Sequence, residues 1–121
     1  MADHPTFEGY LDEHPESAAL LDALRRELAA IGPVNEALSK SQVAFRRRRT
    51  VAWAWTPGQY LGRGAPLVLT FDFDEQDPSP RWKEVVEPRP GHFTHHLELH
   101  RAEDLDDEVR GWLRQAWDAA A

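Results

Sequence analysis

The side chains best suited to bind a ligand lie in a basic and aromatic middle segment. Between Ala37 and Phe71 there is no acidic residue, against six basic ones: Lys40, Arg46, Arg47, Arg48, Arg49 and Arg63. The same segment holds two tryptophans and a tyrosine: Trp53, Trp55 and Tyr60. Guanidinium groups pair with phosphates and indoles stack on bases, so this composition is typical of a nucleotide or single-strand nucleic-acid site. It is equally typical of a tryptophan-rich core with a rim of solvated arginines.

Histidines form a second group, because four of the six fall within residues 92–100. On a strand, His92, His96 and His100 would share one face, where imidazoles and a carboxylate could bind zinc. However, strand residues four positions apart are separated by about 13 Å, which is too far for one ion. The pattern therefore favours a solvated strand face, and we predict no metal site.

His95 points to the opposite side of the same strand. It shares that face with three apolar residues: Phe93, Leu97 and Leu99. One interpretation is a core histidine whose ring nitrogens are satisfied by the backbone or by a carboxylate. The other is a pocket residue whose pKa is shifted by burial.

The arginine run at residues 46–49 also has two interpretations. If it continues a strand, alternate guanidinium groups lie on opposite faces, and four arginines cannot all be buried. A solvated basic edge, which hinders edge-to-edge aggregation, is one interpretation. A binding strip for phosphates is the other.

No known catalytic signature accompanies these groups. There is no cysteine nucleophile, and Gly62-Arg63-Gly64 lacks the third glycine and the following helix of a phosphate loop. The acidic residues 72–77 lack the spacing of a calcium loop. We therefore expect binding rather than catalysis.

Periodicity indicates the elements that position these residues. Apolar residues at helical spacing predict a helix over Pro15–Ala30, ended by Gly32-Pro33, with a short turn of helix before it. Alternation then predicts strands from Val34 to Leu99, and a second amphipathic helix closes the chain. A block of strands between helices predicts an α+β fold with an antiparallel sheet of about five strands, flanked by the N-terminal and C-terminal helices.

Composition predicts one globular domain over residues 1–121, with a core over about 7–119, because 41% of the residues are hydrophobic and 29% charged. The absence of cysteine suits a reducing compartment. Residues 1–16 lack the features of a signal peptide, and the apolar stretches are too short to span a bilayer. We expect a cytoplasmic protein with no membrane association.

The C-terminal half resembles a bacterial domain of unknown function, number 5655. The resemblance is carried by the residues at 82–87, 91–99 and 104–117, and by the lysine-to-aromatic run 40–45. It covers roughly residues 7–119 and implies a small α+β domain without an assigned reaction. The recurring polar positions of that family fall on Lys40, Arg48 and His95.

These observations together predict a non-enzymatic binding or interaction module. Its partner would be a small anionic ligand or nucleotide, or another protein, and the chain would be a monomer or homodimer. The predicted site lies on one face of the sheet, between the sheet and a helix, and uses five residues: Lys40, Arg48, Trp53, Trp55 and His95. No catalytic residue, metal or cofactor is predicted.

Two alternatives come from other functional classes. The first is a nucleic-acid-associated domain that uses the basic and aromatic segment 40–63. The net charge of −7 argues against general coating of nucleic acid but not against local contact. The second is a small metal-dependent enzyme that uses the histidine strand.

Overall fold

A computed structural model of the protein describes residues 6–121. Its elements follow one another in the order helices, strands and a closing helix, with one short helix inside the strand block. The bounds are α1 Phe7–Glu13, α2 Pro15–Ile31, β1 Asn35–Leu38, β2 Gln42–Arg46, β3 Thr50–Trp55, α3 Gly58–Leu61, β4 Leu67–Phe73, β5 Glu84–Arg89, β6 His92–Leu99, a 3-10 turn at Ala102–Asp104, and α4 Asp107–Ala119.

The predicted helices are confirmed, and their ends have clear local causes. Pro15 is the first residue of α2, where a missing N–H is tolerated. Gly32 follows the last turn of that helix, and its N–H donates to the Leu28 carbonyl. Asp106 begins α4 by accepting a bond from the Val109 N–H.

The strands form a single antiparallel sheet in the order β1-β2-β3-β4-β6-β5. The α+β prediction is confirmed, with six strands where about five were expected. All neighbours pair antiparallel, and the β4–β6 ladder is the longest, with seven residue pairs. β1 and β5 are the two edges of the sheet.

Helices α2 and α4 pack on one face of this sheet and contact each other. Alternate strand residues such as Val43, Leu69 and Leu97 project toward them and are buried in one core cluster. The intervening residues project from the opposite face. The sheet therefore has a covered face, which carries the core, and an open face.

Two local features are not indicated by the alternation of residues. β5 continues through Pro88 to Arg89, and Gly91 takes a positive φ of 79° in the turn that follows. Pro88 is tolerated in the strand because β5 is an edge with a register shift after Val86. Pro57 precedes the short helix α3 between β3 and β4.

Candidate functional site

The open face of the sheet carries a shallow depression. In the ladder register Trp53 lies opposite Thr70, and Thr70 lies opposite His96. Side chains from β2, β3, β4 and β6 therefore meet on this face. The depression encloses about 380 Å³. Seven residues line it: Gln42, Trp53, Trp55, Thr70, Asp72, Thr94 and His96.

A hydrogen-bond chain fixes the floor of the depression. The indole N–H of Trp55 donates to Oγ1 of Thr70 at 3.0 Å. Oγ1 of Thr70 lies 2.8 Å from Nδ1 of His96. Thr70 is only 6% exposed, so its hydroxyl depends on these partners rather than on water.

The protonation state of His96 follows from its surroundings. Burial lowers the pKa of His96 from its ordinary value of 6.5, against the smaller opposing effect of the Glu84 carboxylate. The ring is therefore neutral at pH 7. The Thr70 hydroxyl proton has no other acceptor within residues 6–121, so we assign this hydroxyl as the donor to Nδ1. This leaves the proton of His96 on Nε2, which has no partner among residues 6–121.

The depression continues into a second cleft where β3 and β4 separate. Within the described chain their ladder has three pairs, from Trp55–Val68 to Trp53–Thr70. Beyond Trp53 each strand pairs only with its outer neighbour. The cleft between them encloses about 440 Å³, reaches the end of α4, and shares Trp53 and Asp72 with the depression. The two together form a continuous groove.

A hydroxyl beside an imidazole is also the arrangement of some nucleophilic enzymes. In this site the hydroxyl of Thr70 is buried and engaged by the Trp55 indole. A nucleophile must reach the reacting atom, and Oγ1 is held in the floor of the depression. Thr70 therefore orients His96, whose Nε2–H is the group available to a ligand.

The charge of the site is acidic. Of the described residues that line the depression, Asp72 alone carries a formal charge at neutral pH, and it is exposed. Nδ1 of His92 lies 3.5 Å from the Asp72 carboxylate. Two indoles beside a carboxylate favour a neutral or positively charged ligand, because the aromatic faces are electron-rich.

Comparison with known families supports the fold without assigning a reaction. A family model described as "Domain of unknown function (DUF5655)" matches residues 8–120. The chain belongs to this family. No curated protein and no solved structure matches it. Membership confirms the resemblance drawn from the sequence, but it does not indicate a ligand.

Two of the five residues that the sequence predicted for the site lie in the groove. Trp53 and Trp55 are half-buried on the open face, and both line the depression. Of residues 6–121, no helical residue lines this depression, whereas the sequence placed the site between the sheet and a helix.

His95 lies on the covered face and is fully buried. Its Nε2 accepts the Asp77 N–H at 3.0 Å, and its Nδ1–H donates to the Phe93 carbonyl at 2.9 Å. Both ring nitrogens are thus satisfied by the backbone. This geometry corresponds to the core-histidine interpretation, and a ligand on the open face does not reach His95.

Lys40 and Arg48 lie at opposite ends of β2. The Lys40 carbonyl, in the β1–β2 turn, accepts bonds from Phe7 N–H and from Nε2 of Gln59. The Arg48 N–H, in the β2–β3 turn, donates to the carbonyl of Ala120. Eight strand-like positions separate the two side chains by roughly 25 Å. The five predicted residues therefore do not converge on one cavity.

Sequence reasoning missed Thr70 and His96 as site residues. Alternation placed each on a strand face, but it did not indicate which strands are neighbours. His96 was assigned to a solvated face, whereas a row of side chains from adjacent strands half-buries it. The signal that would have identified it is the cross-strand pairing Trp53–Thr70–His96.

Residues 6–121 contain neither a cluster of metal-ligating side chains nor a membrane-spanning helix. Within residues 6–121, no three histidine, aspartate or glutamate side chains come together closely enough to hold a metal ion. In the same range, every helix is too short or too polar to cross a bilayer.

Proposed function

We propose that this domain is a non-enzymatic binding module whose ligand occupies the groove on the open sheet face. The observation that supports this most directly is Nε2–H of His96, a donor without a described partner beside two half-buried tryptophans. Partly buried donors are normally paired, so an acceptor on a ligand would complete the site. The buried Thr70 hydroxyl holds the imidazole in the required orientation.

The ligand would be a small neutral or cationic molecule with a flat or apolar part. Trp53 and Trp55 would contact that part, and a carbonyl or similar acceptor would bond to His96. Asp72 disfavours an anion in the same place, because like charges repel at short range. The anionic ligand expected from the sequence is therefore not assigned to this groove.

The nucleic-acid alternative receives less support from this face. Base stacking on Trp53 or Trp55 would bring phosphates toward the exposed Asp72 carboxylate. The arginines of segment 40–63 lie outside the depression: Arg46 to Arg49 are at the end of β2 and in the turn beyond it, and Arg63 follows α3. A cytoplasmic location in a bacterium remains part of the proposal, and it rests on the absence of cysteine and on the family resemblance.

The test is a small-molecule screen read by two-dimensional 1H–15N NMR. Neutral, cationic and anionic metabolites are added separately to the labelled protein. We expect cationic or neutral compounds to shift the Trp55 indole N–H signal, because that group reports on the Thr70 bond. His96→Gln should weaken binding of these compounds about tenfold, the size of one lost bond to a buried donor.

His100→Gln is the matched control, because His100 is exposed and lies just beyond β6. It should leave the affinity unchanged. The proposal would be rejected if no compound shifted the indole signals, or if both histidine variants bound the same compounds equally well.

A further inference from the structure

The turn between β2 and β3 concentrates positive charge that the protein does not neutralise. Within the described chain, no carboxylate lies within 4.0 Å of the guanidinium groups of Arg46 to Arg49, whereas Arg25, Arg81 and Arg110 each bind acidic partners. The protein contains 21 acidic residues, so acids are not scarce. Other arginines, such as Arg63 and Arg89, also lack an acidic partner in residues 6–121, but only in this turn do four such arginines follow one another.

Backbone contacts hold the turn against the end of α4. The N–H groups of Arg48 and Arg49 both donate to the Ala120 carbonyl, at 3.1 and 3.0 Å. The guanidinium of Arg47 lies 3.5 Å above the Trp117 ring and donates to the Trp117 carbonyl. The backbone of the turn and one of its side chains are thus held against the end of α4.

A structural role alone does not require so many cations. The C-terminal end of a helix carries roughly half a negative charge, which one arginine more than offsets. Arg47 already occupies that position. The three remaining arginines are exposed, and their mutual repulsion destabilises the turn unless an anion is bound.

Two of these exposed arginines face a common depression. It encloses about 340 Å³ and is lined by Asn35, Arg46, Arg47 and Arg48 among others. Arg46 donates one bond, from Nη1 to Thr50 Oγ1, and keeps its other N–H groups available. No side-chain contact to Arg48 is present in residues 6–121.

We infer that Arg46 and Arg48 form an anion site for a phosphate group, separate from the open-face groove. A phosphate carries close to two negative charges at neutral pH and matches two planar guanidinium groups. Arg47 supports the site from behind through Trp117. The phosphate could belong to a small molecule or to a nucleic-acid backbone.

Isothermal titration with inorganic phosphate and with a short oligothymidine, at constant ionic strength, tests the site. We expect phosphate to bind the native protein more tightly than chloride does. The double variant Arg46→Gln, Arg48→Gln should bind about tenfold more weakly. The double variant Arg63→Gln, Arg89→Gln is the matched control: it removes the same two positive charges, but both arginines are exposed and line neither this depression nor the groove. The affinity of this control for phosphate should stay within about twofold of that of the native protein.

The two probes distinguish the sources of phosphate. Oligothymidine binding that needs Arg46 and Arg48 and falls steeply with salt would assign the site to nucleic acid. If inorganic phosphate bound but oligothymidine did not, the site would be assigned to small molecules. An equal loss in the Arg63→Gln, Arg89→Gln control, or no preference for phosphate over chloride, would overturn the inference. Neither result would bear on the ligand proposed for the open-face groove, because none of these variants changes a residue that lines it.

Discussion

At the scale of single residues, Asp77 connects the loop after β4 to the core. Its Oδ1 accepts the Trp82 indole N–H at 3.1 Å, and its Oδ2 accepts the Trp112 indole N–H at 3.0 Å. Its own N–H donates to His95. Burial raises the pKa of Asp77, but the bonds from the Ser79 N–H and the two indoles outweigh it, and the net pKa is lowered. Asp77 therefore joins α4 to the loop through its carboxylate and contacts β6 through its N–H.

Replacing Asp77 with asparagine should lower the free energy of unfolding by about 1–3 kcal/mol at pH 7. The asparagine NH₂ group would face an indole N–H, so one buried donor would lose its acceptor. Because the folded-state pKa is lowered, the native carboxylate stabilises the fold above its ordinary pKa of 3.8 and loses this effect in more acidic solution. Urea denaturation at several pH values measures both effects.

Asp74→Asn supplies the control, since Asp74 is exposed in the same loop. Its effect should be within about 0.5 kcal/mol. Equal stability losses in the two variants would show that the indole bonds contribute nothing specific.

At the scale of elements, the end of α4 packs against the segment that leaves α2. The Trp117 indole N–H donates to the Pro33 carbonyl at 3.2 Å. Gly32 lies directly under the Trp117 ring, and a Cβ at this position would overlap the ring atoms. Gly32 has an extended backbone, so its requirement is for space rather than for a special conformation. Arg47 of the arginine turn stacks on the same ring.

Gly32→Ala should therefore destabilise the protein by about 1–3 kcal/mol, because overpacking displaces Trp117. It should also weaken phosphate binding, since Arg47 stacks on that ring. Gly111→Ala in the exposed part of α4 is the control: its Cβ meets no atom within 4 Å. That variant should be more stable by about 0.5–1 kcal/mol. Thermal and urea denaturation would show that Gly32→Ala lowers the free energy of unfolding and that Gly111→Ala raises it. A change in the same direction for both variants would contradict the packing argument.

At the scale of the whole molecule, stability is centred on β4 and β6. These strands form the longest ladder and lie inside the sheet, with α2 and α4 on their covered face. β1, in contrast, is an edge strand whose four residues are all exposed. The sheet should therefore open from its edges inward.

Native-state hydrogen exchange followed by NMR should show this gradient. We expect the β4 and β6 amides to exchange only through global unfolding, since they are paired and buried. The β1 amides should exchange at least about 100-fold faster through local opening. Equal protection of β1 and β4 would indicate that the edge is covered by another chain or that the unfolding is strictly all-or-none.

Some residues of the candidate site could be predicted from the sequence, and others could not. The two tryptophans were identified because charge and aromatic residues cluster along the chain, and that clustering is local. Thr70 has no such signal, because a threonine in a strand is common. His95 and His96 are neighbours in sequence, yet one is a satisfied core residue and the other lines the groove.

The sequence by itself determined the helices, the alternation of the strands and the α+β class. These follow from periodicities of 3.6 and 2, which depend only on residues close in the chain. The tertiary structure decided which strands became neighbours, and hence that Trp53, Thr70 and His96 meet while Lys40 and Arg48 separate. Strand order depends on how all the apolar faces are buried together, and no short segment carries that information. The absence of a catalytic signature in the sequence thus leaves two binding candidates, a groove and an arginine turn, that only the folded chain assembles.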